Sequence, residues 1–264
     1  MDLEVDAMKF GMPALLEHGT LAEDAALCRE LGLDFIELNL NVPQYQPGRW
    51  DAHGICRVGE EYGVDFTIHL DENLNLFEFN PLVADAWQKT LLDNIALAKA
   101  IGAKVLNMHL NRGVVFTLPE KKIYVFEKFL PEYLEGLARV RDLCEQAMGD
   151  SGIRICIENT SGWLPWQAAA LDTLLQSPVF GLTLDVGHDH CTGAGDLEVI
   201  TARKDWLHHM HLHDAIRPNR DHLALGTGEL DLPARLQLAE DRDCTVVIEV
   251  KTAAALRGSV KWLK

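Results

Sequence analysis

One pattern repeats along the chain: an amphipathic helical stretch, then a glycine or a turn, then a short apolar run rich in β-branched residues. The first copy is the clearest, since Thr20 and Glu23 predict a capping box, Gly32 stops the helix, and the apolar run FIELNL follows. Further runs lie in MKFGMP, EEYGVDFTIHL, AKAIGAKVLNMHL, DSGIRICIENT, SPVFGLTLDVGH, DWLHHMHLHD and DRDCTVVIEVK, which makes eight predicted strands. Strands that alternate with helices predict parallel βαβ units.

Eight such units in 264 residues predict an α/β fold, a single (β/α)8 TIM barrel that occupies residues 1–264 as one domain. A doubly wound open sheet is the alternative architecture. No GxGxxG follows the first strand, which disfavours the dinucleotide-binding form of that sheet. In a barrel, the residues that carry the chemistry stand at the C-terminal ends of the strands.

Composition restricts the partners. The formal net charge of −16 repels polyanions and no basic face is visible, so we expect no nucleic-acid partner. No window approaches the roughly 18 consecutive apolar residues of a membrane span, so we expect no membrane insertion. The segment MDLEVDAMKF opens with acids and lacks the features of a secretory signal, which predicts a cytoplasmic location.

The predicted strands end on ionisable residues although their interiors are mostly apolar. Glu37 and Asn39 end the second strand, and the third to eighth strands end on His69, His109, Glu158, Asp185 with His188, His211 with His213, and Glu249. Each of them alone has an ordinary interpretation as a surface or structural residue. At the mouth of one barrel, however, crowded carboxylates need a cation, and mixed histidine and carboxylate ligands suit Zn²⁺, Mn²⁺, Co²⁺ or Fe²⁺ better than Ca²⁺.

The motifs IENTSG, LDVGH, HLHD and VIEV, together with GLDFIEL, resemble the xylose isomerase-like superfamily of TIM barrels. This superfamily contains sugar isomerases and epimerases, inosose dehydratases, hydroxypyruvate isomerases and endonuclease IV. The resemblance implies a divalent-metal-dependent isomerase or epimerase of a sugar, a sugar phosphate or a keto acid. One Mn, Co, Mg or Zn ion would then be held by Glu158, Asp185, His211 and Glu249.

The same resemblance assigns catalytic roles. Glu158 and Glu249 correspond to the acid and the base on the two faces of a sugar carbon, and His188 corresponds to a contact with the substrate oxygens. The metal would chelate a carbonyl and a neighbouring hydroxyl, and would stabilise an enediolate. The implied partner is a small-molecule carbohydrate. Dimers and tetramers are frequent among relatives, so the resemblance also allows a homo-oligomer.

Several substrate contacts have two interpretations. Arg217 is either a second contact to the substrate or a solvated loop residue. The two-residue period of HHMHLHD places three histidines on one face, and the family pattern selects His211 as the ligand, leaving His213 as an outer contact or a substrate contact. Asn159 and Trp163 follow the fifth strand and are candidates to line the pocket, although Trp163 and Trp166 equally fit a role in packing the loop.

The main alternative is a nuclease or phosphoesterase like endonuclease IV, with two to three zinc ions. His69, His109 and His222 would extend the ligand set, although many isomerase relatives use such histidines as substrate contacts. Asp221 stands one position away from the Asp-x-His pair of that family, and the acidic net charge also disfavours a nuclease. A polyol dehydratase or lyase on the same barrel is another candidate. A binding protein without turnover fits less well, because it would not need two opposed glutamates at one metal.

Overall fold

A computed structural model describes residues 8–46 and 48–264 of the chain. It contains a closed barrel of eight parallel strands, as the sequence predicts. The strands are β1 (Phe10–Pro13), β2 (Phe35–Asn39), β3 (Asp65–His69), β4 (Val105–His109), β5 (Arg154–Glu158), β6 (Phe180–Asp185), β7 (Leu207–Leu212) and β8 (Thr245–Ile248). Each strand pairs with the next along the chain, and β1 pairs with β8 to close the sheet.

Helices surround this barrel in the described ranges. They are α1 (Leu21–Leu31), α2 (Ala52–Tyr62), α3 (Pro81–Ile101), α4 (Val125–Lys128), α5 (Leu130–Met148), α6 (Pro165–Leu174), α7 (Val186–Cys191), α8 (Asp196–Thr201), α9 (Leu232–Glu240) and α10 (Ala253–Leu263). Short 3-10 turns lie at Pro43–Tyr45, Gly149–Ser151 and Lys204–Trp206. Where residues are described, no helix is long and apolar enough to span a bilayer.

The predicted start and stop signals of the first helix are confirmed. The Thr20 side chain accepts a hydrogen bond from the Glu23 backbone, and the Glu23 carboxylate accepts one from the Thr20 backbone, so the capping box is complete. Gly32 ends the helix with a φ of 73°, a left-handed conformation that glycine adopts without a Cβ penalty. These two signals fix where β2 begins, and thereby where Glu37 lies.

The strand register aligns the ends of the strands. His109 is the Cα partner of Glu158, and Asp185 is the partner of His211. Because side chains alternate along a strand, residues two positions earlier also face the barrel interior. This deeper level is unusually polar and consists of Glu37, Thr67, Asn107, Cys156, Thr183 and His209, all of them buried.

The apolar core lies between the strands and the helices. Ile36, Ile68 and Leu106 are fully buried on their strands, and Leu97 and Leu171 are fully buried on the helices outside them. The loops at the mouth add two antiparallel hairpins, Val115–Thr117 with Lys122–Tyr124 and Asp214–Ile216 with Arg220–Leu223. The barrel thus supplies a rigid frame, and its mouth carries the polar side chains.

Candidate active site

Three carboxylate side chains converge at the barrel mouth on one ring nitrogen of His211, which makes a cluster of four residues. Its Nδ1 lies 3.1 Å from Glu249 Oε2, 3.6 Å from Glu158 Oε2 and 3.9 Å from Asp185 Oδ2. The four residues come from the ends of β5, β6 and β7 and from the residue that follows β8, and all of them are buried. The structure therefore brings together the complete ligand set that the resemblance implies.

The chemistry of this cluster fits a divalent cation. Neither ring nitrogen of His211 has a hydrogen-bond partner, and Glu249 Oε2 has none either, although these atoms are buried. A buried polar atom without a partner is costly, and three neighbouring carboxylates repel one another unless a positive charge lies between them. One imidazole nitrogen and three carboxylates are a donor set that Mn²⁺, Co²⁺, Zn²⁺ or Fe²⁺ accepts.

The electrostatics of the cluster also indicate a site for positive charge. Burial alone would lower the pKa of His211, but Glu37, Glu158 and Glu249 raise this pKa well above its ordinary value. Burial alone would raise the pKa values of Glu158 and Glu249, but the charge of His211 holds both well below the ordinary range. Without a metal, the imidazolium of His211 neutralises the carboxylates, so a bound cation would take over that role.

Asp185 is held in place by two side chains from behind. The Asn159 amide nitrogen donates to the Asp185 carbonyl at 2.9 Å, and the Asp185 N–H donates to Asn159 Oδ1 at 2.8 Å. His213 Nε2 lies 3.0 Å from Asp185 Oδ1. Because the His222 N–H donates to His213 Nδ1 at 2.8 Å, the ring proton of neutral His213 must sit on Nε2 and point to Asp185. Both supports are fully buried, which favours an outer contact over a substrate contact for His213.

A second group lies on the other side of Glu158. His69 Nε2 and His109 Nε2 lie 3.4 Å and 3.5 Å from Glu158 Oε2, and the Asn107 amide donates to the same oxygen. His69 Nδ1 lies 2.8 Å from the Leu70 carbonyl, which only accepts, so Nδ1 carries a proton. Burial would lower the pKa of His69, but the contact with Glu158 raises it to about 9.

A third group lies towards the hairpin Asp214–Leu223. His188 Nδ1 is 3.1 Å from Asp185 Oδ2 and its Nε2 is 4.0 Å from Asp221 Oδ2. His222 Nδ1 is 3.5 Å from Asp221 Oδ1 and its Nε2 is 3.5 Å from Glu249 Oε1. Asp221 thus lies between both histidines despite its displaced position in the sequence. Burial would lower the pKa of His188, but Asp185 and Glu158 raise it to about 10.

A cavity of about 400 Å³ opens beside the cluster, and Glu37, His69 and Glu249 are among the residues that line it. Its walls combine apolar residues, Leu15, Leu16, Val42 and Val250, with polar residues, Asn39, Asn41, Glu72 and Lys251. Lys251 Nζ lies 2.7 Å from Glu249 Oε1. This volume is in the range of small-molecule sites. A substrate in the cavity would meet Glu249 directly.

The structure does not bring Arg217 and Trp163 into the cluster. Arg217 is exposed on the hairpin, where its Nε donates to the His190 carbonyl at 2.9 Å. The Trp163 N–H donates to Asp196 at 2.6 Å, and its half-buried side chain packs against the core. These contacts favour the loop-packing interpretation of Trp163. A contact between Arg217 and a substrate stays a prediction.

Comparison with known proteins agrees with the class that the fold and the clustered strand ends define, a (β/α)8 barrel with a polar mouth. The family model described as xylose isomerase-like TIM barrel matches residues 25–264. The chain belongs to this family.

Individual relatives are distant. Uncharacterized protein MJ1188 of Methanocaldococcus jannaschii is 26% identical over 239 residues, which are 85% of this chain and 81% of the relative. A crystal structure of a D-tagatose 3-epimerase-like protein superimposes with a TM-score of 0.78 at 22% identity, covering 97% of this chain and 96% of that one. The structure of IOLI protein with a bound zinc atom gives 0.73 at 17% identity and covers 96% of both chains. These two structures share the fold.

Proposed function

We propose that the protein is a divalent-metal-dependent isomerase or epimerase that acts on a small carbohydrate. The observation that carries this proposal is the convergence of three carboxylates on His211 Nδ1 beside a substrate-sized cavity that Glu249, one of the three, also lines. Membership of the xylose isomerase-like family supports the isomerase or epimerase class. One structural neighbour, a D-tagatose 3-epimerase-like protein, agrees with this class.

Glu158, Asp185, His211 and Glu249 are the residues that would hold the cation. When bound, a divalent cation acts as a Lewis acid that polarises a carbonyl and makes the neighbouring C–H more acidic. His213 and Asn159 hold Asp185, and Asn107 holds Glu158, so the ligand oxygens are oriented before a substrate enters.

Proton transfer falls to the two glutamates. Glu249 lines the cavity and its low pKa keeps the carboxylate ionised at neutral pH, so it is suited to accept the carbon-bound proton. Glu158 approaches from a strand three places away around the barrel and is the candidate for the group that returns a proton on the opposite face. Asp185 and Glu158 raise the pKa of His188 to about 10, so this histidine is suited to donate to a substrate oxygen.

The cavity favours an uncharged sugar over a phosphorylated one. Phosphate recognition in proteins uses arginine, lysine or clustered backbone N–H groups. Among the residues that line this cavity, Lys251 is the one cationic side chain besides histidine, and it is paired with Glu249. Glu37, Glu72 and Glu249 add negative charge to the same walls, which would repel a phosphate.

A multi-zinc phosphoesterase is the second candidate function. His69, His109 and Glu158 place their ligand atoms close enough to hold an ion of their own, and His188, His213 and His222 form a further group. In such an enzyme Glu158 would be shared between two ions. The number of metal ions per chain therefore separates the two candidates.

The deciding experiment combines metal analysis with isotope exchange. Protein purified without added metal or chelator is measured for metal content, and ketoses and aldoses are incubated with it in D₂O to detect exchange at the carbon next to the carbonyl. We expect about one ion per chain and exchange with at least one sugar, both lost in Glu158→Gln.

Glu135→Gln, an exposed glutamate on α5, is the matched control and should retain both properties. Two or three zinc ions per chain together with hydrolysis of phosphoesters would overturn the isomerase in favour of the second candidate. Absence of metal binding after addition of each candidate ion would exclude both.

A further inference from the structure

A fourth carboxylate, Glu37, lies beneath the ligand cluster and does not belong to it. Glu37 is 2% exposed and comes from β2, which contributes none of the four candidate ligands. Its Oε1 lies 3.0 Å from His211 Nε2, the ring nitrogen that faces away from the three other carboxylates. The imidazole of His211 therefore stands between Glu37 on one side and the candidate metal ligands on the other.

The second oxygen of Glu37 is fixed by two hydrogen bonds. Oε2 accepts from His209 Nε2 at 3.1 Å and from Thr67 Oγ1 at 3.2 Å. His209 is anchored in turn, because its Nδ1 lies 2.6 Å from Thr245 Oγ1. Side chains from β2, β3, β7 and β8 thus hold the carboxylate so that Oε1 faces His211.

His211 needs a partner of this kind at Nε2. A neutral imidazole has one N–H and one lone pair, so a ring that offers the Nδ1 lone pair to a cation carries its proton on Nε2. Glu37 Oε1 lies 3.0 Å from that nitrogen, which has no other hydrogen-bond partner. His209 Nε2 cannot accept the proton of His211, because His209 Nε2 is the donor in its own hydrogen bond to Glu37.

We propose that Glu37 is a positioning residue for His211. It accepts the Nε2 proton, fixes the tautomer whose Nδ1 lone pair faces Glu158, Asp185 and Glu249, and makes the imidazole a stronger ligand. The inference rests on the proposed function, since it assigns His211 to a metal. It goes further in that it makes β2 and the polar level below the mouth part of the site.

The test compares Co²⁺ binding by the wild-type chain and by Glu37→Gln, which keeps the shape of the side chain and removes its charge. Affinity is measured by competition with a chelator, and the visible absorption spectrum of bound Co²⁺ reports the ligand geometry. We expect Co²⁺ affinity to fall about 10- to 100-fold and the spectrum to change. Glu37→Leu, which removes both acceptor oxygens, should lose at least as much affinity.

Asp24→Asn is the matched control. Asp24 is also a buried carboxylate beside a histidine, with Oδ1 2.8 Å from His18 Nδ1, but it has no contact with His211. This variant should bind Co²⁺ with the wild-type affinity and spectrum. Circular dichroism checks that each variant is folded, and if Glu37→Leu does not fold, Glu37→Gln decides the question.

The outcomes separate this inference from the proposed function. If folded Glu37→Gln binds Co²⁺ with the wild-type affinity and spectrum, the positioning role is overturned and the proposed metal enzyme is not affected. If Co²⁺ affinity and spectrum are unchanged in Glu37→Gln and only KM is raised, Glu37 is a substrate contact, which also overturns the inference. A wild-type chain that binds no Co²⁺, Zn²⁺ or Mn²⁺ overturns the proposed function and this inference together.

Discussion

Lys251 Nζ lies 2.7 Å from Glu249 Oε1, on the wall of the cavity that leads to the candidate metal ligands. The lysine side chain is more than half exposed, whereas the glutamate is buried. Burial would raise the pKa of Glu249, but His211, His222 and Lys251 lower it well below its ordinary value. Lys251 thus helps to keep the proposed base ionised without being buried itself.

Lys251→Met should shift the acid limb of the kcat/KM profile to higher pH. The ammonium stabilises the ionised form of Glu249, so its removal raises the pKa of that carboxyl. Because Lys251 is solvent-exposed, its contribution is screened, and we expect a small shift in this direction. The profile is measured on a substrate identified by isotope exchange. Lys121→Met, on the exposed hairpin, is the control, and an unshifted limb in Lys251→Met would show that Lys251 does not act on Glu249.

Gly187 leaves room for the histidine that supports Asp185. A Cβ at this position would lie 2.0 Å from His213 Cε1, closer than any real contact. Gly187→Ala must therefore displace the ring of His213 and loosen its contact with Asp185. We expect about 1–3 kcal/mol lower stability and at least tenfold weaker metal binding, measured by chemical unfolding and chelator competition.

Gly258→Ala is the control for this variant. Gly258 is exposed in the interior of α10, and a Cβ there meets nothing within 4 Å. Alanine is a better helix former, so this substitution should stabilise the protein by about 0.5–1 kcal/mol and leave metal affinity unchanged. If Gly187→Ala behaves like Gly258→Ala, the close approach of His213 does not matter for the site.

The strand ends were predictable because the fold itself brings them together. Once eight helix-to-strand repeats indicate a barrel, Glu158, Asp185, His211 and Glu249 must meet at one mouth, whatever their separation along the chain. The ligand set thus required only the topology and the ends of the strands. Whether the residues at the mouth bind one, two or three ions depends on differences in distance of a few tenths of an ångström. No strand pattern specifies such differences.

The sequence places Glu37 at the end of a strand, but the support that Glu37, Asn107 and His209 give to the ligands was not predicted, although its signal was present. Glu37, Asn107 and His209 are polar residues inside apolar strands, each two positions before a strand end, and this spacing places them on the inward face. What they contact depends on barrel closure, which sets β2 against β7 across the interior. Arg217 shows the opposite case, because the hairpin after β7 turns its side chain to His190 and away from the ligands.

The thermal stability of the metal-free protein should fall as the pH rises, and a bound metal should stabilise the protein most at high pH. The pKa values of His69 and His188 are raised to about 9 and about 10, above roughly 6.5 for an unfolded chain. These groups stabilise the fold fully below the unfolded pKa, and the contribution is lost as the pH rises through the folded pKa. Glu158 and Glu249, with lowered pKa values, contribute above the ordinary carboxyl range and lose this contribution only as the pH falls through their folded values.

With a chelator present, Tm should therefore fall by several degrees between about pH 6 and about pH 9.5. Saturating Co²⁺ should raise Tm most at the alkaline end, because cation binding requires His211 to be neutral and its protonated form competes with the metal. Tm is measured by circular dichroism in both series, and calorimetry in buffers of different ionisation enthalpy counts the released protons. A metal-free Tm that rises over this range would contradict the assigned charges, as would Co²⁺ binding near neutral pH that releases no proton.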